Sequence, residues 1–233
     1  MIFKYCLTAL LLLGLNSATL ADNPTSKLQA TYSITRAGQA IGEVSETLAI
    51  SKGQYRLEST TIPVGVLAVF VKDVIKKTSS GRYDRLGFHP EQYTYQRSTK
   101  PKKNLEATFD WKKQTAAFQY EGKTETQALP EQLQDLLSLG YQLRHWPKPQ
   151  DTLLLPVSNG KKINEYHLVR AGEEMLTVPA GTFQTTRFMR ALTPDDDGIT
   201  VWISDQVAAP VKIIYEEKKG ILTEQVLTRI TSE

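Results

Sequence analysis

Apolar and polar residues alternate one by one through most of this chain, and that period of two limits the fold more than any other feature. Leu28, Ala30, Tyr32 and Ile34 fall on one side, and Gln29, Thr31, Ser33 and Thr35 on the other. Val44, Leu48 and Ile50 repeat the pattern, with Glu46 as the exception. Leu105, Ala107, Phe109 and Trp111 oppose Asn104, Glu106, Thr108 and Asp110, and Ala116, Phe118 and Tyr120 mirror them after Lys112-Lys113-Gln114. Further runs cover 183–191, 199–203, 211–215 and 222–230. Side chains of a strand point alternately to its two faces, so each run places one face on a core and the other in water, as antiparallel sheets do. Glycine-bearing turns separate the runs, among them Ala37-Gly38-Gln39, Ser51-Lys52-Gly53 and Val178-Pro179-Ala180-Gly181. The spacing predicts a mainly β fold: a single domain of about eleven antiparallel strands in a strongly curved sheet or partly open barrel.

Two segments break the alternation. Residues 130–144 carry Leu133, Leu136, Leu137, Gly140 and Leu143 at helical spacing, after Pro130 and Glu131 and before Pro147. This predicts one helix packed against the sheet. Ile62 to Ile75 is an apolar stretch interrupted by Pro63, Gly65, Lys72 and Asp73. It is too short to span a bilayer and reads as core or as cover over a cavity.

The first residues have the order of an export signal. Lys4 charges the start, an apolar run follows from Tyr5 to Leu15, and Thr19-Leu20-Ala21 offers small residues at the cleavage positions. The expected organisation is a signal peptide over 1–21, a polar leader over 22–27 and one β domain over 28–233, cleaved after Ala21 and placed in the periplasm. The single cysteine, Cys6, stands at the start of the apolar run, where it cannot serve as a lipid anchor after it. The mature chain then has no disulfide or thiolate chemistry, and its stability rests on the core. A formal charge of +3 is too mild to imply a nucleic-acid partner.

Catalytic and metal motifs are missing from the sequence. His89, His145 and His167 stand far apart, with no partner at ligand spacing. Ser158-Asn159-Gly160-Lys161 matches S-x-x-K only formally, since it lies in a predicted turn and no K-T-G follows. Asp195-Asp196-Asp197-Gly198 is followed by Gln206 where a calcium loop would need glutamate, so it reads as a hairpin tip. Recurrent lysine pairs, such as Lys76-Lys77 and Lys102-Lys103, read as solvated strand ends. The expectation is a protein without catalytic, cofactor-binding or metal residues.

Several spaced elements resemble the bacterial family known as domain of unknown function 3108. They are Tyr32 with Gly38 and Gly42; Ser80 before the strand leading to Pro90 and Tyr93; Thr177-Val178-Pro179-Ala180-Gly181-Thr182-Phe183 with Thr186-Arg187; and Val201-Trp202-Ile203 with Pro210-Val211-Lys212-Ile213 and Gly220. The resemblance implies export and β architecture, and carries no catalytic residue or cofactor.

Together these readings predict a binding module for an apolar or lipid-like ligand. Val66, Leu67, Val69 and Phe70 would form a lid, and Leu133 and Leu137 of the helix would line the site. The alternative is a structural or assembly factor that takes an envelope protein by strand addition, using Tyr93 and Tyr95.

Overall fold

The structure is a computed structural model that describes residues 26–146, 150–190, 197–217 and 220–233. The expected signal peptide, residues 22–25 of the leader, and residues 195–196 of the expected hairpin tip lie outside the described residues.

Fifteen strands form one sheet. They are β1 (Ser26–Arg36), β2 (Gln39–Ser51), β3 (Gln54–Pro63), β4 (Ile75–Asp84), β5 (Gly87–Arg97), β6 (Leu105–Asp110), β7 (Thr115–Tyr120), β8 (Lys123–Ala128), β9 (Gln134–Asp135), β10 (Thr152–Ser158), β11 (Ile163–Val178), β12 (Gly181–Arg190), β13 (Gly198–Ile203), β14 (Lys212–Glu216) and β15 (Leu222–Ser232). Two short helices, α1 (Leu67–Phe70) and α2 (Ser138–Gln142), complete the elements, with 3₁₀ turns over Pro101–Lys103 and Leu143–His145.

The sheet order is β8-β7-β6-β5-β4-β3-β2-β1-β15-β14-β13-β12-β11-β10-β9. The two ends of the chain therefore meet mid-sheet, where β1 pairs with β15. Every pairing is antiparallel except β9 with β10, and the sheet ends at β8 and β9 without closing. Three hairpins show how local chemistry sets this meander. Ala37-Gly38, Lys52-Gly53 and Glu121-Gly122 all have positive φ at both residues, the condition for the tight turn whose twist suits paired strands.

The strand count corrects the expected eleven. All six residues of β8 are exposed, so it carries no alternation to read. β9 has two residues and lies inside the segment expected to be a helix.

That segment is the second correction. Residues 130–144 do not form one helix on a face of the sheet. Asp135 Oδ1 accepts the backbone N–H of Leu137 at 2.8 Å and of Ser138 at 2.9 Å, which delays the helix until 138. The segment runs through the inside of the curve as a plug. Leu133, Gln134, Asp135, Ser138, Leu139, Tyr141 and Leu143 are all buried. Side-chain amides tie it to the β4–β5 hairpin. Gln142 accepts from Phe88 N–H at 2.8 Å and donates to the Leu86 carbonyl at 2.9 Å, and Gln134 donates to the Phe88 carbonyl at 2.8 Å. Gly87 in that hairpin has φ +103°, and a Cβ there would stand 2.2 Å from Gln142 Oε1.

The core follows the alternation. Leu28, Ala30, Tyr32, Val44, Leu48, Tyr55, Leu57, Tyr93, Ala107 and Phe118 point inwards against the plug. A second cluster, with Leu139, Trp146, Leu155, Leu168, Phe188 and Val201, fills the β10–β14 side. No described helix is long and apolar enough to cross a membrane.

Candidate functional site

Between the concave face and the plug lies a cavity of about 270 Å³. Its walls come from strand ends: Ile34 of β1, Thr61 of β3, Ile75 of β4, Ile199 of β13 and Thr223 of β15. Leu136, Leu137, Leu139, Gly140 and Tyr141 of the plug close one side. The cavity therefore sits at the end of the curved sheet that the β3–β4 connection crosses.

Most of this wall is apolar, but a polar row crosses it. Strand register places Glu46 beside Ser59, Ser59 beside Lys77, and Lys77 beside Tyr95. All four line the cavity. Glu46 is buried, and its Oε2 accepts the Tyr141 hydroxyl proton at 2.7 Å. Burial raises its carboxyl above the usual range, against the lowering effect of the Tyr141 hydrogen bond and the Lys77 charge. Burial lowers the Lys77 ammonium, while Glu46 and Asp135 oppose that. Lys77 makes no ion pair or hydrogen bond among the described residues. Tyr32 and Tyr141 are buried beside Glu46, and burial holds both phenols well above their ordinary value.

A second polar network lies deeper and is complete. Tyr55 and Ser79 share a hydrogen bond of 2.7 Å, and Ser79 Oγ donates to Asp135 Oδ2 at 2.5 Å. With the backbone N–H groups of Leu137 and Ser138 also on Asp135, the carboxyl is fully engaged. Burial still raises its pKa to about 6.

The sequence profile of one family, described as a protein of unknown function (DUF3108), matches residues 29–226. The chain belongs to the DUF3108 family. No curated protein matches it. Among solved structures, this DUF3108 protein is similar to a β-barrel-like protein of domain of unknown function DUF1849 from Brucella abortus. The TM-score is 0.57 at 9% identity, over 89% of this chain and 98% of that one. At that identity the likeness is one of fold. Two weaker similarities are to the Pseudomonas aeruginosa MucA/MucB complex (TM-score 0.29, 13% identity, 89% of this chain and 52% of that one) and to a DUF1329 family protein from Desulfovibrio piger (TM-score 0.23, 10% identity, 88% and 84%).

The residues expected at a site in this DUF3108 protein do not all converge. Leu137 lines the cavity. Leu133 is fully buried in the main core and away from the cavity wall. Val66, Val69 and Phe70 stand on the rim at 78%, 69% and 79% exposure, pointing into solvent. The Leu67 side chain lies outside the described residues. The rim segment is tied down behind α1. Asp73 accepts from Arg97 Nε at 2.5 Å and from Thr99 N–H at 3.0 Å, and the Thr99 hydrogen bond leads the interactions that hold its carboxyl at about 2.

The expectation of surface tyrosines for strand addition is corrected. Tyr93 is buried and Tyr95 half-buried, both on the concave face. Sequence reading also missed Lys77. The Lys76-Lys77 pair is not at a turn but inside β4, where Lys76 faces out and Lys77 faces in. Glu46 was visible in the alternation as a carboxylate on an apolar face. Among the described residues no three His, Cys, Asp or Glu side chains gather at metal-binding distance.

Proposed function

We propose that this DUF3108 protein is an exported envelope binding module that holds one small apolar or amphiphilic ligand in its cavity and performs no chemistry on it. The cavity carries the reading: a walled space of about 270 Å³, mostly aliphatic, at the open end of a curved sheet. Its size is near the lower end of small-molecule sites, which suits a single chain and not a multi-chain lipid. Val66, Val69 and Phe70, exposed on the connection that crosses the same end, give an apolar ligand a surface to meet on entry. The alternation and the DUF1849 fold likeness support a β protein, and the export-like first residues support an envelope location.

The test is titration with a neutral environment-sensitive dye such as Nile red. The expected result is saturable one-site binding at about 1 µM, or about −8 kcal/mol. Substituting Ile75→Trp at the cavity wall fills the space and should lower affinity while the far-ultraviolet spectrum stays β-rich. Absence of saturable binding to the folded chain refutes the reading.

A second reading keeps one observation of its own. β8 ends the sheet with all six residues exposed, and no described strand pairs with its outer edge. Such an edge can accept a strand from a protein partner. Crosslinks that map to residues 123–128 and persist when the cavity is filled would favour it.

A further inference from the structure

Among the described residues, the Lys77 amine is a charged group of the cavity wall that makes no ion pair or hydrogen bond, although Glu46 and Asp135 act on it electrostatically. It sits on the concave face of β4 between Ser59 and Tyr95. An ammonium has three donors and no acceptor, and a desolvated one needs an anionic or carbonyl oxygen close by. Neither neighbouring carboxylate fills that need. Glu46 lies two strands away across Ser59 and receives the Tyr141 hydroxyl. Asp135 receives Ser79 and two backbone N–H groups. No ion pair joins either of them to Lys77 among the described residues. The amine therefore faces a hollow whose lining includes the aliphatic side chains Ile34, Val44, Ile75, Leu137 and Ile213.

Building on the cavity-binding reading above, we propose that the ligand is a single-chain amphiphile with one anionic oxygen head, a carboxylate or a phosphate monoester, held by Lys77. Thr61 and Tyr95 supply hydroxyl donors around the same head, while Ser59 is engaged by Glu46. The aliphatic wall takes the tail. At about 30 Å³ per water-sized group, the cavity of about 270 Å³ holds about nine such groups, the size of a medium alkyl chain. The order of preference follows from charge. An anionic head gains a charge-assisted hydrogen bond in a site of low dielectric, a neutral head gains only an ordinary one, and a cationic head meets the ammonium.

Calorimetric titration of the intact chain at pH 7.5 with decanoate, decyl phosphate, decanol and decylamine tests this. Decanoate or decyl phosphate should bind at least about tenfold more tightly than decanol, and whichever is tighter names the head. Lys77→Met should abolish that preference while leaving decanol affinity within about twofold, and Lys77→Arg should restore part of it. If decanol binds as tightly as the anions, the anchor is refuted and the cavity reading stands. If decylamine binds most tightly, Glu46 is the anchor and the proposal is overturned. If none of the four binds, the cavity reading itself falls and takes this proposal with it.

Discussion

Asp135 should make the stability of this protein fall as pH rises from 4 to 7. The carboxyl is fully buried, and burial lifts its pKa from 3.8 to about 6 despite the hydrogen bonds from Ser79, Leu137 and Ser138. In the unfolded chain the same group titrates near 3.8. Between those values the folded protein keeps a proton that the unfolded chain has released. Stability is then fully present below 3.8 and is lost as pH climbs through about 6. At about 1.4 kcal/mol per pH unit, the gap amounts to about 3 kcal/mol. For a chain of this size that is about 6 to 12 °C in Tm. Urea unfolding at pH 4, 5, 6 and 7 reads the effect when wild type is set against Asp135→Asn. Asparagine keeps an oxygen for the Leu137 and Ser138 N–H groups and cannot ionise. The difference in unfolding free energy, wild type minus variant, should drop by about 2.4 kcal/mol between pH 4 and pH 7, most of the full gap. Glu46, whose carboxyl is also raised by burial, acts in the same direction but is present in both proteins and cancels. Parallel pH profiles for the two proteins would refute the assignment of the proton to Asp135.

Three further substitutions test the packing around the plug. Tyr141→Phe strips the buried Glu46 carboxyl of its 2.7 Å donor and should cost about 1–3 kcal/mol by urea unfolding, whereas Tyr32→Phe removes a buried hydroxyl that lacks hydrogen-bond geometry to any described group and should change stability by less than about 0.5 kcal/mol; equal losses would contradict the network. Gly87→Ala forces a side chain onto φ +103° and into Gln142, so thermal unfolding should reveal a loss of about 2–4 kcal/mol, and a neutral effect would show that the plug is not clamped to the β4–β5 hairpin.

The inward faces were legible because each residue's side is decided locally, by the parity of its position. Leu28, Ala30, Tyr32 and Val44 needed nothing else, and Glu46 announced itself by sitting where an aliphatic residue was due. Lys77 was concealed by its neighbour. A lysine pair looks like a solvated strand end, yet within β4 the two members take opposite faces. The plug was misread because its leucines do repeat at helical spacing. What interrupts the helix is the Asp135 side chain taking the next N–H groups, while pairing with Val157 and Ser158 draws Gln134 and Asp135 into the sheet. The union of β1 with β15 joins residues nearly two hundred positions apart, and no local pattern carries it. β8 lay beyond alternation altogether, since both of its faces meet water.

The two polar levels inside the sheet differ in a way that separates architecture from recognition. At the deeper level, Tyr55, Ser79 and Asp135 satisfy one another and the backbone that opens α2. That network consumes its own donors and acceptors, so it fixes the plug and offers nothing to a ligand. One step along the same strands the row of Glu46, Ser59 and Lys77 begins in a satisfied carboxyl and ends in an amine beside empty space. An aliphatic residue at 77 would pack that wall at no desolvation cost, and a core built for stability alone has no use for the charge. Breaks in an otherwise consistent pattern mark the places where a fold gives up stability for something else. Here the break lies on the cavity wall, at the end of the sheet where the exposed apolar rim stands, which is where a ligand with one charged end and one oily end would be met and held.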